Sequence, residues 1–295
     1  MTNSTTIARD SGLPHRLAMV LGSGGVRSVA ALGIADVLAG EGLRPDLLVG
    51  CSSGAIFAAT IAMGLSNKDS LALATRLWSA DLTQQKRWQA YVQLIAPKLF
   101  GFDAGFSLRD ARSIGHRIRE AFGARLLQEL PTPLRVVTTE AATGDCVVLT
   151  RGRISEALRA SVALPFIFPS VEIDGRRLSD GVLSNPLPVC VAKDASVVLA
   201  LGFEGLMPRR IDRPSRLVAQ ISTSMINNLQ RAHLLAAQAA GQRVLNMELE
   251  LDRRIGLWET AAMPRIFEAG RKAALHHLPE IRRLLGDGGS NQQAA

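Results

Sequence analysis

The sequence predicts an α/β fold built on a parallel sheet, because a strand, a tight loop and a helix follow one another twice near its start. Arg16–Leu21 is an apolar, strand-like run that leads through a glycine-rich loop into a helix-like segment, Val29–Leu38. Leu47–Val49 begins a second such unit, which continues through another turn into an alanine-rich segment. Right-handed crossovers between parallel strands place both loops at the carboxyl edge of one sheet. At 295 residues the chain has room for one large α/β domain or two small ones.

The second loop contains the motif G-x-S-x-G, Gly50–Gly54, with Ser52 at its centre. A serine on a tight strand-to-helix turn has its hydroxyl lifted clear of the backbone, and the following helix directs its positive dipole end toward it. The motif also occurs by chance in glycine-rich chains. A membrane span is a further alternative, since Leu47–Ser66 is uncharged and is close to the length of roughly 20 residues that a spanning helix needs. The glycines and serines of the motif favour a turn instead.

The first loop, Gly22–Ser28, is a candidate oxyanion hole. The backbone N–H groups of Gly24 and Gly25 could face the Ser52 hydroxyl from the same sheet edge. A dinucleotide-binding loop is disfavoured, because G-x-G-x-x-G would need a glycine where Arg27 stands. Arg27 either adds positive charge and anchors the loop or is an ordinary surface arginine.

A serine nucleophile needs a base, and Asp180 is the favoured candidate. His15 precedes the first strand, and the other four histidines fall within predicted helices rather than on loops after strands. Asp180 follows a predicted strand and precedes Gly181, which marks a sharp loop, although an ordinary turn residue has the same pattern. An aspartate with an unperturbed pKa of about 3.9 is a weak base near neutral pH. A Ser52–Asp180 dyad therefore depends on desolvation of the carboxylate and on the oxyanion hole.

The rest of the chain alternates between helix and strand patterns. Asn67–Ser107 holds most of the aromatic residues of the first part of the chain, including Trp88 and Phe100–Phe106. It predicts a cap, a lipid-contact surface or an ordinary helical insertion. The proline-bounded run Leu164–Pro169 could line an acyl pocket. Further predicted elements are the helices Leu108–Leu130, Ile154–Ser161, Pro214–Ala240 and Met263–Leu285, the strands Leu134–Thr139, Cys146–Thr150, Ser196–Phe203 and Val244–Leu251, and the hairpin Val171–Leu178. Residues 1–14 and 286–295 are expected to be loose tails.

Charge and cysteine content narrow the classes of partner. The formal net charge is +8, and the region from Gly205 to Val244 contains six arginines against one aspartate. Such a basic region attracts anionic membrane or nucleic acid, or is simply a solvated face. Motifs of nucleic-acid binding are absent from the sequence, so no nucleic-acid partner is expected. The three scattered cysteines indicate neither a disulfide framework nor a metal site, and no cofactor is expected. The first residues lack an apolar signal core, which predicts a cytoplasmic or peripherally membrane-associated protein.

The chain resembles the bacterial patatin-like phospholipases in four ordered blocks. These are Leu21–Arg27 (LGSGGVR), Pro45–Ile56 (PDLLVGCSSGAI), Ala157–Val189 (ALRASVALPFIFPSVEIDGRRLSDGVLSNPLPV) and the final helix with Pro279–Leu285 (PEIRRLL). The first three blocks are specific in this order and spacing, and the resemblance covers nearly the whole chain after residue 15. It implies a three-layer α/β/α fold with a mostly parallel central sheet, in a single acyl hydrolase domain over residues 15–285.

The resemblance also implies hydrolysis of lipid carboxylic esters. Ser52 corresponds to the nucleophile, Asp180 to the base, and the Gly24–Gly25 backbone to the oxyanion hole. Arg27, Ser53 and Gly181 take supporting positions. Ser28, Ala31 and Val182 depart from the usual pattern of the family, and these departures affect the loop geometry rather than a catalytic group. The expected partner is a lipid or acyl-ester substrate, with peripheral contact to anionic membrane. Rival expectations are a thioesterase or small-ester esterase, and a lipid- or membrane-binding regulator of weak activity.

Overall fold

The computed structural model describes residues 13–77, 93, 99, 106–109, 111–251, 253 and 255–286. Within these residues the chain forms an eight-stranded sheet in which neighbouring strands follow the order β5-β6-β3-β2-β1-β7-β8, with β4 also paired to β3. The strands are β1 His15–Leu21, β2 Leu47–Cys51, β3 Leu134–Glu140, β4 Cys146–Leu149, β5 Val171–Ile173, β6 Arg176–Asp180, β7 Ala195–Leu201 and β8 Val244–Asn246.

The middle of the sheet is parallel and one side of it is antiparallel. Strands β3, β2, β1, β7 and β8 run in the same direction, as the strand–loop–helix units predict. Strands β4 and β6 pair antiparallel to β3, and β5 pairs antiparallel to β6. The β5–β6 pair is the predicted hairpin, β3 and β4 are neighbours in the chain, and the β3–β6 pair joins these two parts of the sheet.

Seven α-helices of the described residues pack against this sheet or against one another. They are α1 Ala30–Gly40, α2 Ser53–Ala62, α3 Asn67–Leu77, α4 Ala111–Phe122, α5 Ile154–Ser161, α6 Pro214–Ala239 and α7 Met263–Gly286. The sheet has a separate apolar core on each face, because alternate residues of a strand point to opposite sides. Leu17, Met19 and Leu21 of β1 join the core beneath α1, α2 and α7. Ala18 and Val20 join the core that Ala237 of α6 helps to cover. The predicted three-layer α/β/α fold is confirmed.

Helix α7 packs closely on α1 through glycine. A Cβ atom on Gly33 or Gly270 would overlap the backbone of the other helix, so only glycine permits this approach. Arg271, which interrupts the apolar stripe of α7 in the sequence, forms an ion pair with Asp36 of α1. A charged residue therefore fits at the margin of this interface.

Two predicted elements are shorter than expected. The helix predicted over Leu108–Leu130 is an α-helix only at Ala111–Phe122, because Gly123 takes a positive φ of 61° and ends it. The strand predicted over Val244–Leu251 is limited to Val244–Asn246, where β8 pairs with β7. The pattern alone did not mark where the hydrogen-bonding partner ends.

The aromatic segment lies largely outside the described residues. Trp88, Phe100 and Phe102 are among the undescribed positions, so the predicted cap or lipid contact at these side chains stays a prediction. Helix α3 is described, and its Leu73, Ala74 and Leu77 are buried. Phe106 contacts Phe166 edge to face, with ring centroids 6.0 Å apart.

The uncharged stretch from Leu47 to Ser66 is not a single spanning helix. It consists of β2, a tight turn and α2, all packed in the interior of the fold. Among the described residues, we find no helix with the length and apolar character needed to cross a bilayer.

Candidate active site

Ser52 lies on a strained turn between β2 and α2. Its backbone adopts φ 55° and ψ −128°, a conformation that is rare for a residue with a side chain. The glycines on either side make this turn possible, since a Cβ atom on Gly50 would overlap Ala55 and one on Gly54 would overlap the backbone of Leu21. Strain of this kind persists only where the surrounding structure enforces it, and it is concentrated at functional sites. The predicted strand-to-helix turn is therefore present, with Ser52 half-buried at its tip.

Asp180 reaches Ser52 through the register of β3. Cys51 at the end of β2 pairs with Val137, and Asp180 at the end of β6 pairs with the next residue, Thr138. Strand β4 occupies the opposite side of β3 over the same residues, so β2 and β6 lie on one side of it and meet end to end. The Ser52 hydroxyl donates a hydrogen bond of 2.8 Å to Asp180 Oδ2. The two candidate residues of the dyad are thus in direct contact.

The Asp180 carboxyl is buried and has few partners. The residue is 3% exposed, and besides the Ser52 hydroxyl its carboxyl accepts one backbone hydrogen bond, 3.0 Å from the Val182 N–H to Oδ1. Burial raises the pKa of Asp180 from 3.8 to about 7, although the Val182 N–H and the Ser52 hydroxyl both act to lower it. A carboxylate with this pKa is a far stronger base near neutral pH than an exposed aspartate.

Ser161 supports the turn from behind, and sequence reasoning assigned it no role. The Ser52 backbone N–H donates to Ser161 Oγ at 2.9 Å, and the Ser161 hydroxyl donates to the Val137 carbonyl at 2.7 Å. Ser161 lies within one of the blocks that resemble the family, at the end of α5, but nothing in its local pattern distinguishes it from a packed helix residue. Thr139 similarly holds the Asp180 main chain, donating to its carbonyl at 2.9 Å.

The Gly24 and Gly25 N–H groups point toward α2 and meet the Ser53 hydroxyl. They donate to Ser53 Oγ at 3.0 and 2.8 Å, and Ser28 Oγ lies 2.9 Å from the same oxygen. The two predicted oxyanion donors therefore converge on one point close to Ser52, and that point holds a side-chain oxygen. Ser28, the departure from the family pattern, is part of this cluster.

Arg27 is buried, so the surface alternative for this residue is wrong. The residue is 8% exposed, and its guanidinium donates to the Gly24 carbonyl at 3.2 Å and to the Glu204 carbonyl at 2.9 Å. The guanidinium also lies over the Phe203 ring, 5.1 Å from its centroid, and burial lowers the pKa of Arg27. These contacts anchor the glycine-rich loop to the end of β7.

Gly181 is required by a close backbone approach. A Cβ atom there would lie 2.5 Å from the Val137 carbonyl oxygen and 3.0 Å from Cys51 Sγ. The chain can therefore turn sharply after Asp180 without pushing β6 away from β3. Cys51 is buried, as expected for the residue that precedes a serine at such a turn.

An apolar cavity of about 400 Å³ opens beside Ser52 and Asp180. Leu164, Ile167 and Phe168 of the predicted pocket-lining loop face it. Its other lining residues come from every part of the fold: Ser23, Gly24, Gly25, Ser52, Ser53, Ile56, Leu77, Arg109, Ile114, Val162, Asp180, Val182, Ile226, Leu257 and Trp258. The cavity brings the serine, the carboxyl and the glycine-rich loop to one apolar space.

Arg109 is the second charged residue in the described lining, after Asp180, and sequence reasoning did not select it. Its backbone N–H donates to the Ile167 carbonyl at 3.1 Å, which holds the residue against the pocket-lining loop. Its Nη1 atom is buried and has no hydrogen-bond partner within the described part of the chain. Buried polar atoms are nearly always paired, so this nitrogen makes the guanidinium of Arg109, a residue that lines the cavity, a candidate partner for a polar or anionic ligand group.

The five histidines, all of which lie within the described residues, do not line the cavity. His233 is the one held near the Asp180 loop, with Nε2 3.1 Å from the Ser184 carbonyl. The described residues contain no group of histidine, cysteine and carboxylate side chains able to hold a metal ion.

The architecture and this geometry define an α/β protein with a serine–aspartate pair at the carboxyl edge of its parallel strands. Residues 19–193 match the family model described as Patatin-like phospholipase, which is more than half of the chain. The chain belongs to the patatin-like phospholipase family, and the resemblance inferred from the sequence is confirmed.

The chain is similar to several individual proteins. An uncharacterized NTE family protein of Mycobacterium tuberculosis is 30% identical over 228 residues, covering 76% of this chain and 58% of that protein. Patatin-like phospholipase domain-containing protein 7 of Rattus norvegicus is 30% identical over 191 residues, covering 63% of this chain and 13% of that protein. The chain spans about half the length of the mycobacterial relatives it matches. Among solved structures, VipD from Legionella pneumophila is similar with a TM-score of 0.48 and 13% identity, covering 93% of this chain and 67% of that one.

Proposed function

We propose that this protein is a serine acyl hydrolase that cleaves lipid carboxylic esters through Ser52 and Asp180. The observation that carries the proposal is the hydrogen bond of 2.8 Å between the Ser52 hydroxyl and the buried Asp180 carboxyl, on a strained turn that faces an apolar cavity. Family membership supports the same class of reaction.

The proposed reaction has two halves. Ser52 Oγ attacks the ester carbonyl while Asp180 accepts the hydroxyl proton, and the alcohol leaves with that proton as the acyl–serine bond forms. Water then attacks the acyl group, gives a proton to Asp180, and releases the fatty acid. Ser52 finally regains its proton from Asp180. The carboxyl is suited to this transfer, because burial brings its pKa to about 7.

The oxyanion of each tetrahedral intermediate is assigned to the Gly24 and Gly25 N–H groups. Ser53 Oγ accepts both hydrogen bonds in the structure, which keeps the two donors aligned and satisfied. Rotation about the Ser53 Cα–Cβ bond would release them to the oxyanion. Preorganised donors of this kind supply much of the rate enhancement in acyl transfer.

The lining of the cavity favours a lipid ester with a negatively charged group as the substrate. The apolar lining suits an acyl chain, and the guanidinium of Arg109, which also belongs to the lining, suits a phosphate group. A phosphate oxygen that binds this guanidinium would form a charge-assisted hydrogen bond, which is stronger than a neutral one. We therefore favour a phospholipid or lysophospholipid over a neutral glyceride.

The first test compares the wild type with Ser52→Ala and Asp180→Asn on soluble chromogenic esters, lysophospholipid, phospholipid vesicles and an acyl thioester. The expected result is ester hydrolysis by the wild type alone, with both variants folded. A fluorophosphonate probe should label Ser52, and Ser222→Ala, at an exposed serine of α6, is the matched control. Thioester cleavage without ester cleavage would favour a thioesterase. A wild type that is inactive on every substrate and is not labelled would favour the alternative function of a lipid-binding regulator.

A second test addresses Arg109. Arg109→Gln should lower kcat/KM for lysophospholipid by about tenfold or more, because a hydrogen bond to a charged group contributes roughly 1.5–3 kcal/mol. Hydrolysis of a neutral monoacylglycerol of the same chain length should be unchanged, and Arg109→Lys should recover part of the loss. Equal losses on both substrates would show that Arg109 only supports the pocket.

A further inference from the structure

The start of α6 and the segment before it form an exposed apolar surface, which we call the α6 face. It comprises the large side chains of Leu206, Met207, Ile211, Leu217, Val218, Ile221 and Met225, all of which are exposed. The four on the helix are between 46% and 67% exposed. Exposed apolar side chains clustered in this way mark interaction surfaces on natural proteins.

Helical spacing places these four side chains on one stripe. Leu217, Ile221 and Met225 recur every four residues, and Val218 lies beside them, so they share one side of the helix. The buried residues of α6 are Asn227, Gln230 and Ala237, all of which lie beyond this stripe in the second part of the helix. The first turns of α6 therefore bury none of their residues.

The preceding segment is held against the helix. Asn227 accepts from the Gly205 N–H at 2.7 Å and donates to the Gly205 carbonyl at 3.1 Å, which fixes the point where the segment leaves β7. Met207 Sδ lies 4.0 Å from Ser224 Oγ, beside Met225. The apolar side chains before the helix and those on it consequently belong to one continuous surface.

The α6 face is basic as well as apolar. Four arginines and one aspartate lie between residues 206 and 225, a local charge of +4 − 1 = +3. Arg216 pairs with Asp212 at 2.9 Å, whereas Arg209, Arg210 and Arg213 have no ion-pair partner in the part of the chain that the structure describes. Exposed apolar side chains among unpaired arginines are the pattern of a helix that binds at an anionic membrane interface.

The face adjoins the mouth of the candidate active site. Ile226, the residue after Met225, lines the cavity. So do Leu257 and Trp258, which are both exposed, and tryptophan is enriched at membrane–water interfaces. A bilayer seated on the α6 face would therefore lie close to the entrance used by a lipid ester.

We infer that the α6 face docks the protein on an anionic lipid bilayer and directs the cavity toward it. A second copy of the chain fits less well, because a symmetric contact would bring the same arginines together. The inference rests on the proposed function, because docking delivers a lipid ester only if the cavity hydrolyses one. Membrane binding itself can be measured without ester hydrolysis.

The test measures co-sedimentation with vesicles of phosphatidylcholine mixed with phosphatidylglycerol, and with phosphatidylcholine alone. The Ser52→Ala background keeps the vesicles intact. Binding should need the anionic lipid and weaken as salt is raised. Replacing Arg209, Arg210 and Arg213 together by Gln should reduce partitioning roughly 100-fold, since each basic residue near an anionic surface contributes about a factor of five. Replacing Leu217, Ile221 and Met225 together by Gln should also abolish stable binding.

Matched controls change the same residue types elsewhere. Arg44, Arg151 and Arg177 are exposed arginines, and Leu13, Val148 and Leu275 are exposed apolar residues. The corresponding triple Gln variants should bind vesicles as the unsubstituted protein does. When the same triple substitutions are made with Ser52 intact, each protein should hydrolyse a soluble short-chain ester at the wild-type rate.

The outcomes separate the two proposals. Vesicle binding through the α6 face without ester hydrolysis would refute the proposed function and leave the docking surface standing. Ester hydrolysis with vesicle binding that ignores the α6 substitutions, or that needs no anionic lipid, would overturn the docking surface. The wild type could instead self-associate without binding lipid, and the α6 substitutions could abolish that self-association. This result would assign the α6 face to contact with a second copy of the chain and would also overturn the proposed membrane docking.

Discussion

Replacing Asp180 by asparagine should stabilise the fold above neutral pH while it abolishes ester hydrolysis. Asp180 is 3% exposed, and burial raises its pKa from 3.8 to about 7. The folded state therefore holds the Asp180 proton more tightly than the unfolded state does. The contribution to stability is complete below the unfolded pKa and is lost as the pH rises through the folded pKa.

The size of the effect follows from the shift. A change from 3.8 to about 7 is about three pKa units, which corresponds to about 4 kcal/mol at 1.36 kcal/mol per unit. Asparagine keeps the shape of the side chain and an oxygen for the Val182 N–H, but it has no charge to desolvate. Asp180→Asn should therefore exceed the wild type by up to about 4 kcal/mol in free energy of unfolding at pH 8, and by almost nothing near pH 4.

Urea unfolding of both proteins between pH 4 and pH 8.5 measures this difference. Asp174→Asn is the matched control, because Asp174 is an exposed aspartate in the β5–β6 turn and asparagine also accepts its positive φ of 51°. In parallel, kcat/KM of the wild type for a soluble ester should rise with pH and level off above about pH 7. An Asp180→Asn variant that is no more stable than the wild type at pH 8 would refute the desolvation argument. A kcat/KM that does not change between pH 5 and pH 8 would refute the role of Asp180 as base.

Three further substitutions test the surroundings of Ser52. Ser161→Ala removes the acceptor for the Ser52 N–H and should lower kcat/KM by about tenfold with little change in KM, because a lost buried hydrogen bond costs about 1–3 kcal/mol. An unchanged kcat would mean that the turn keeps its conformation without the Ser161 hydroxyl. Gly54→Ala places a Cβ atom against the backbone of β1 and should prevent stable folding. Gly40→Ala is the control, because a Cβ atom there meets open space, and it should leave Tm unchanged or slightly raised. A soluble and active Gly54→Ala protein would contradict the packing argument. Ser53→Ala frees the two loop N–H groups and should keep kcat at or above the wild-type value, so a tenfold fall would show that the Ser53 hydroxyl is needed to hold the loop.

The fold was predictable because most of its elements carry their own pattern. Apolar runs such as Arg16–Leu21 and Leu47–Val49 indicate buried strands, and the residues between β5 and β6, Asp174 and Gly175, both take the positive φ that an Asp-Gly turn favours. Element ends were harder to predict. The early end of α4 depends on Gly123, and the short length of β8 depends on where β7 stops offering hydrogen bonds.

The candidate site divides in the same way. Ser52 was identified from a local motif, because the glycines around it are needed for a turn of only five residues. Its contact with Asp180 spans 128 residues, and it follows from the register that seats β2 and β6 end to end along β3. Local sequence was therefore enough to identify the residues of the strained turn and the carboxylate that follows a strand into glycine.

The groups that surround that pair could be identified only from the folded chain. The support from Ser161 and the capture of the Gly24 and Gly25 N–H groups by Ser53 depend on contacts between distant elements. So does the burial of Arg109 Nη1 without a hydrogen-bond partner among the described residues. The exposure of the α6 stripe is likewise a tertiary property, since the same spacing of apolar residues predicts a buried face as readily as an open one. Local sequence sets the shape of a segment, whereas burial, pKa and hydrogen-bond partners depend on what the rest of the chain packs against it.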